Sequence, residues 1–135
     1  MKKIHYRDGY KYQLCAAFVI GVAIRPPVAV RNQFTELTPD GTLTILPGYA
    51  WDGPSGPTID TKNFMRGSLV HDALYQLIGD GLLPLSDRAA ADLELRRICL
   101  EDGMSAIRAW WVYQAVKIFG DTAAATPEKE PIEAP

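Results

Sequence analysis

The sequence predicts an α+β fold, with a small antiparallel β-sheet from the N-terminal half packed on three C-terminal α-helices. Two observations carry this. Up to the Gly- and Pro-rich stretch ending near Thr61, the apolar residues fall in short β-branched runs or alternate at period two. From Phe64 onward they recur at helical spacing in three successive stretches. Strands first and helices second argue α+β and not an alternating α/β order.

Taken in order, Leu14–Ile24 is rich in Val, Ile and Phe and reads as a buried strand, closed by Arg25-Pro26-Pro27. Val28–Leu37 is a second strand candidate. Thr38-Pro39-Asp40-Gly41 is a turn leading to Thr42–Leu46, which alternates polar and apolar, so the pair is a hairpin. Pro47-Gly48 ends that strand, and Tyr49–Thr61 is expected to be a loop. The helices are expected over Phe64–Ile78, Asp87–Asp102 and Met104–Phe119, with Ser86 as an N-cap and Gly79, Gly103 and Gly120 as stops. Residues 1–120 are read as one domain, and the acidic, aperiodic stretch 121–135 as a disordered tail.

Composition excludes some functions. Residues 121–135 hold four acids and one lysine, so the net charge of −2 leaves the rest of the chain near +1, no case for a nucleic-acid partner. Leu14–Ile24 is too short to span a bilayer, which takes about 20 residues, and no standard export signal is evident. Cys15 and Cys99 both stand among apolar residues and are expected to be buried thiols, fitting a reducing cytosol or a virion assembled there. Two histidines are too few for a multi-His phosphohydrolase, and neither a Gly-x-Ser-x-Gly elbow nor a phosphate loop occurs.

The chemistry centres on His71-Asp72-Ala73-Leu74-Tyr75. A His-Asp pair inside an apolar helix is costly unless it is satisfied. The short connector Asp80–Leu85 forces the next helix antiparallel, bringing Asp92, 21 residues on, opposite His71. A carboxylate that orients and charges an imidazole is what a hydrolase uses to activate water. Tyr75 shares the face of His71, while Asp72 points about 100° away. Calcium takes hard oxygen ligands, so Asp72 and the carbonyls of Trp51-Asp52-Gly53-Pro54-Ser55-Gly56 make a candidate site.

The ordered trio of glycine-bearing loop, His-Asp-x-x-Tyr and later Asp resembles the phospholipase A2 superfamily, in layout its compact parvoviral branch, over Trp51–Arg97. The resemblance implies His71 as base, Asp92 as its orienting partner, with Tyr75 completing the motif, and Asp72 as calcium ligand. It also implies carbonyl ligands from Trp51, Gly53 and Ser55, and a Gly53 N–H holding the oxyanion. Ser55 stands where that family has a loop glycine, Asp52 is an added carboxylate, and the β-rich first half has no counterpart there.

A second resemblance covers nearly the whole chain. Leu46–Pro57, Ser68–Tyr75, Arg88 with Ala91-Asp92, Tyr113–Val116 and Phe119-Gly120 are similar to the bacteriophage and prophage family called domain of unknown function 1353. It implies a phage origin and groups Asp52 with the His-Asp pair and Asp92, hence Asp52 as a further candidate ligand. Plainer readings stand beside these. The His-Asp cluster could lock the loop to the helices, Asp52 could cap its own turn, and Arg88 could bridge to Asp92 on the helix surface. Trp110, Trp111 and Tyr113 read as packing residues, with a membrane-facing patch as the alternative. Two functions follow: a calcium-dependent hydrolase of a phospholipid or other ester, or a non-catalytic phage virion or host-interaction protein that binds phage structural proteins.

Overall fold

Seven short strands precede three helices among the residues that the computed structural model describes, which are 6–7, 12–51 and 62–125, with side chains for 12–51 and 62–118. The strands are β1 (Tyr6–Arg7), β2 (Tyr12–Leu14), β3 (Phe18–Gly21), β4 (Val30–Arg31), β5 (Thr35–Leu37), β6 (Thr42–Ile45) and β7 (Ala50–Trp51). The helices are α1 (Met65–Gly79), α2 (Arg88–Glu101) and α3 (Ala106–Ala125). This is the expected α+β class, with all described strand pairs antiparallel.

The sheet is split in two, β1-β2-β7 and β3-β6-β5-β4. The expected single strand Leu14–Ile24 is therefore corrected. Its partner explains why: Tyr12 pairs with Trp51 and Phe18 with Ile45, so one long ribbon bends between the sheets at residues 15–17 and 46–49. Pro47 has no N–H to continue a ladder, and Gly48 takes a left-handed φ of 99°. Backbone bonds from Leu14 N–H to the Tyr49 carbonyl and from Gly48 N–H to the Leu14 carbonyl, each 2.8 Å, clamp the bend. β3 is half-buried, with Phe18 and Ile20 inward and Val19 outward. Cys15 lies at the bend and is exposed, against expectation, while Cys99 is buried.

The predicted hairpin forms, with Leu37 opposite Leu43. Its turn needs Gly41, whose φ is 86° and where a Cβ would lie 2.5 Å from the Val22 carbonyl oxygen. Tyr49–Thr61 is not loop from its start, because Ala50 and Trp51 pair with β2 as strand β7.

α1 is the central element. Nine of its residues are buried, and six of them, Met65, Leu69, Val70, Ala73, Leu74 and Leu77, join Leu37, Leu43, Ile45 and Trp51 of the sheets in one core. α2 crosses α1 closely at Gly67, where a Cβ would lie 2.9 Å from Leu95 Cδ1 and 3.0 Å from Cys99 Sγ. Arg66, also buried, donates to Asp102 through Nε (3.1 Å to Oδ2) and to Glu101 through Nη2. Arg66 thus meets the end of α2, and His71 meets Asp92 near its start, so the two helices run antiparallel as the short connector requires.

Several helix ends move. A 3-10 turn, Leu85–Asp87, precedes α2, and its N-cap position is Asp87, so Ser86 is not the cap. α1 includes Gly79, and the left-handed residue after it is Gly81. Gly103 does follow α2 with a left-handed φ. α3 continues through Gly120 to Ala125, so the first five residues of the expected tail are helical. No helix among the described residues is long and apolar enough to cross a membrane.

Candidate functional site

α1 presents His71 and Tyr75 one turn apart toward α2, which presents Asp92 in its second turn. The His71 Nε2 lies 2.8 Å from Asp92 Oδ1, and the Tyr75 hydroxyl donates to the same oxygen at 2.7 Å. The two rings also stack, with centroids 4.2 Å apart. Asp92 is 2% exposed and accepts from both. Its carboxylate fixes the tautomer: Nε2 carries the proton facing Asp92, and the neutral ring keeps its basic lone pair on Nδ1.

Nδ1 is turned toward Asp72, whose Oδ1 is 3.9 Å away. That is too long for a direct hydrogen bond, but it is a separation a single water molecule can bridge. Burial of His71 works against its charged form. The negative charge of Asp72 and Asp92 and the hydrogen bond to Asp92 outweigh burial, so the imidazole holds its proton above its ordinary pKa.

Beside this cluster runs an open groove of about 510 Å³, walled by Trp51, Asp72, Tyr75, Gln76 and Asp80. Trp51, at the end of β7, is buried, and its Nε1 donates to Ser68 Oγ at 3.1 Å. Ser68 Oγ in turn donates to the Met65 carbonyl at 3.0 Å. The chain therefore leaves β7 anchored on α1, one turn before His71 and Asp72. His71 itself is not on the groove wall. Its side chain is 12% exposed, and its neighbours Asp72 and Tyr75 line the groove.

The expected residues divide cleanly. His71, Asp92 and Tyr75 form one hydrogen-bonded unit, with Asp72 and Trp51 next to it. Asp52, Gly53 and Ser55 lie outside the described residues, so their assignments as ligands and oxyanion donor do too. Arg88 does not bridge to Asp92, whose side-chain hydrogen bonds among the described residues go to His71 and Tyr75. Trp110 and Trp111 are exposed and not packing residues, whereas Tyr113 is half-buried under Arg96, 5.7 Å from the ring centre. Calcium fits the donor type of Asp72, a carboxylate facing a groove beside Trp51. Among the described residues no group of three His, Cys, Asp or Glu is placed to hold an ion.

Groove residues that the sequence reading missed are Asp80 and Tyr49, whose hydroxyl meets Gln76 at 3.4 Å; Asp80 Oδ2 accepts from Asn32 Nδ2 at 3.0 Å, and Asn32 lines an adjoining pocket. Asn32 had a local signal: its Oδ1 accepts from the N–H groups of Phe34 (3.1 Å) and Thr35 (2.9 Å), the turn chemistry typical of Asn. Its contact 48 residues away had none. No family model matches the chain, and no curated protein or solved structure matches it either.

Proposed function

We propose that this chain is a phage-type hydrolase that uses His71 as a general base on an ester, with phospholipid as the substrate class and calcium as an aid. The observation that carries the reading is the shared oxygen: Asp92 Oδ1 takes both His71 Nε2 and the Tyr75 hydroxyl, leaving Nδ1 as the basic atom. In this mechanism Nδ1 removes a proton from water as the water oxygen attacks the ester carbonyl carbon. The imidazolium is stabilised by Asp92. When the tetrahedral intermediate collapses, the bond to the leaving alkoxide breaks and Nδ1 returns the proton to it. Asp72 with carbonyls of Trp51, Gly53 and Ser55, and Asp52 if it turns inward, would hold calcium, which supplies charge stabilisation at the developing oxyanion.

The test is hydrolysis of a short-chain ester and of phospholipid by the purified chain with calcium, for wild type and His71→Gln. The expected result is a loss of roughly 10²–10⁴-fold in the variant. Wild-type protein without hydrolysis sinks the reading.

A second reading has its own support. His71 is largely enclosed and holds its proton more tightly than a free imidazole, which suits a charged link better than a neutral base. On that reading the chain is a non-catalytic phage virion or host-interaction component, and the cluster locks the segment that follows Trp51 to the helices. His71→Ala then destabilises by about 3–5 kcal/mol, the cost of breaking a buried ion pair.

A further inference from the structure

We propose that the outer face of α3 docks on an anionic lipid surface. Ser105 Oγ caps the start of this helix by accepting from the Arg108 N–H at 3.2 Å. Ala109 is fully buried, and Val112 and Val116 pack beside it in a cluster with Leu95 and Cys99. Yet the opposite side is apolar too. At 100° per residue, Ile107, Trp111 and Ile118 fall within about 40° of one another, roughly opposite Ala109 and Val116. Ile107 is 72% exposed, Trp111 64%, Ile118 62% and the neighbouring Trp110 44%. The two indoles meet edge to face, 5.4 Å between centroids.

A helix that is apolar on both sides is expected to be covered on both. Charge decides by what. Arg108 and Lys117 flank the stripe on opposite sides, and no acid occurs between Asp102 and Asp121. Adjacent tryptophans with flanking cations are the composition of a helix lying in the headgroup layer, where indole rings prefer to sit and long basic side chains reach lipid phosphates. A second copy of the chain fits less well. From Ile107 to Ile118 the stripe runs only about 16 Å, one helix wide. A stable protein interface takes about 800 Å² per partner. A bilayer imposes no such minimum, because the helix sinks to the depth its side chains allow. The inference rests on α3 and not on the His71 dyad, so it stands or falls separately from the hydrolase reading.

The experiment uses the full chain in EDTA, with vesicles of phosphatidylglycerol or of phosphatidylcholine, read by flotation and tryptophan emission. Trp51 is buried, so a blue shift reports Trp110 and Trp111. Binding to phosphatidylglycerol vesicles with a blue shift is expected, and weaker binding to phosphatidylcholine. Lys117→Gln should weaken partition about fivefold, the worth of one basic residue near an anionic surface. Trp111→Gln and Ile107→Gln, both at exposed positions, should each reduce it with an unchanged melting curve. No binding to anionic vesicles overturns the proposal. So does a dimer in sedimentation without lipid that Trp111→Gln dissolves, since a second copy then covers the face. Wild-type protein that binds anionic vesicles but shows no ester hydrolysis when calcium is supplied overturns only the dyad.

Discussion

His71 and Tyr75 converge on one atom, Oδ1 of Asp92, at 2.8 and 2.7 Å, and their rings stack while doing so. Two donors on one buried carboxylate oxygen fix the imidazole in both position and tilt. The arrangement serves a base that must aim Nδ1, and it serves equally a polar pin between α1 and α2. Variants that remove one donor at a time separate these roles.

Tyr75→Phe deletes a bond to a buried charge and keeps the ring contact. Hydrogen bonds to charged groups contribute about 1.5–3 kcal/mol, so the variant should lose stability on that scale in urea unfolding. Where hydrolysis is measured, the rate should fall less than in His71→Gln, because the base and its principal partner remain. An unchanged unfolding midpoint would show that Tyr75 merely abuts Asp92.

Calcium binding at Asp72 would stabilise only the folded chain and raise its melting temperature. The rise should need millimolar calcium, since open sites of this kind bind near 10⁻⁴–10⁻³ M, and Asp72→Asn should abolish it. A melting curve that ignores millimolar calcium leaves Asp72 as a charge beside His71 and nothing more.

The core of the site was legible because it depends on helix geometry. His71 and Tyr75 share a face by their spacing of four, and a short connector reverses the chain so that Asp92 meets them. What was hidden depends on contacts distant in sequence. Leu14–Ile24 looks like one strand because periodicity cannot reveal that its partner turns at Pro47-Gly48 and carries it into a second sheet. Trp110 and Trp111 read as packing residues because α3 is apolar on two opposite sides, and the sequence does not say which of them meets α2. Gly120 suggested a stop that the helix simply runs through. Asn32 and Asp80 are brought into hydrogen-bonding contact by the fold alone.

Gly67 sets how closely α1 and α2 approach. An added Cβ would lie 2.9 Å from Leu95 Cδ1, 3.0 Å from Cys99 Sγ and 3.3 Å from the Leu95 carbonyl oxygen. Leu95 and Cys99 are buried and have little room to yield. Overpacking costs about 1–3 kcal/mol, whereas replacing a helical glycine by alanine gains up to about 1 kcal/mol. Gly67→Ala should therefore be net destabilising. Gly79→Ala, whose Cβ meets nothing within 4 Å, should be neutral or slightly stabilising. Equal midpoints for the two variants would mean the helix pair relaxes freely around residue 67.

The pH dependence of stability tests the charge on His71 in calcium-free buffer. Asp72 and Asp92 hold the folded imidazole above its ordinary pKa of about 6.5, against the opposing effect of burial. A group whose folded pKa is raised binds its proton more tightly when folded. Its contribution is therefore fully present below about pH 6.5 and is lost as pH rises through the folded value. The stability of wild type relative to His71→Gln should thus be greatest in mild acid and shrink as pH climbs above 6.5. Urea unfolding of both proteins from pH 5.5 to 9 measures the difference directly, and carboxylates elsewhere cancel between the pair. A gap that widens with pH would mean burial wins, that His71 is neutral when folded, and that the Asp72–His71–Asp92 cluster is not an ion pair.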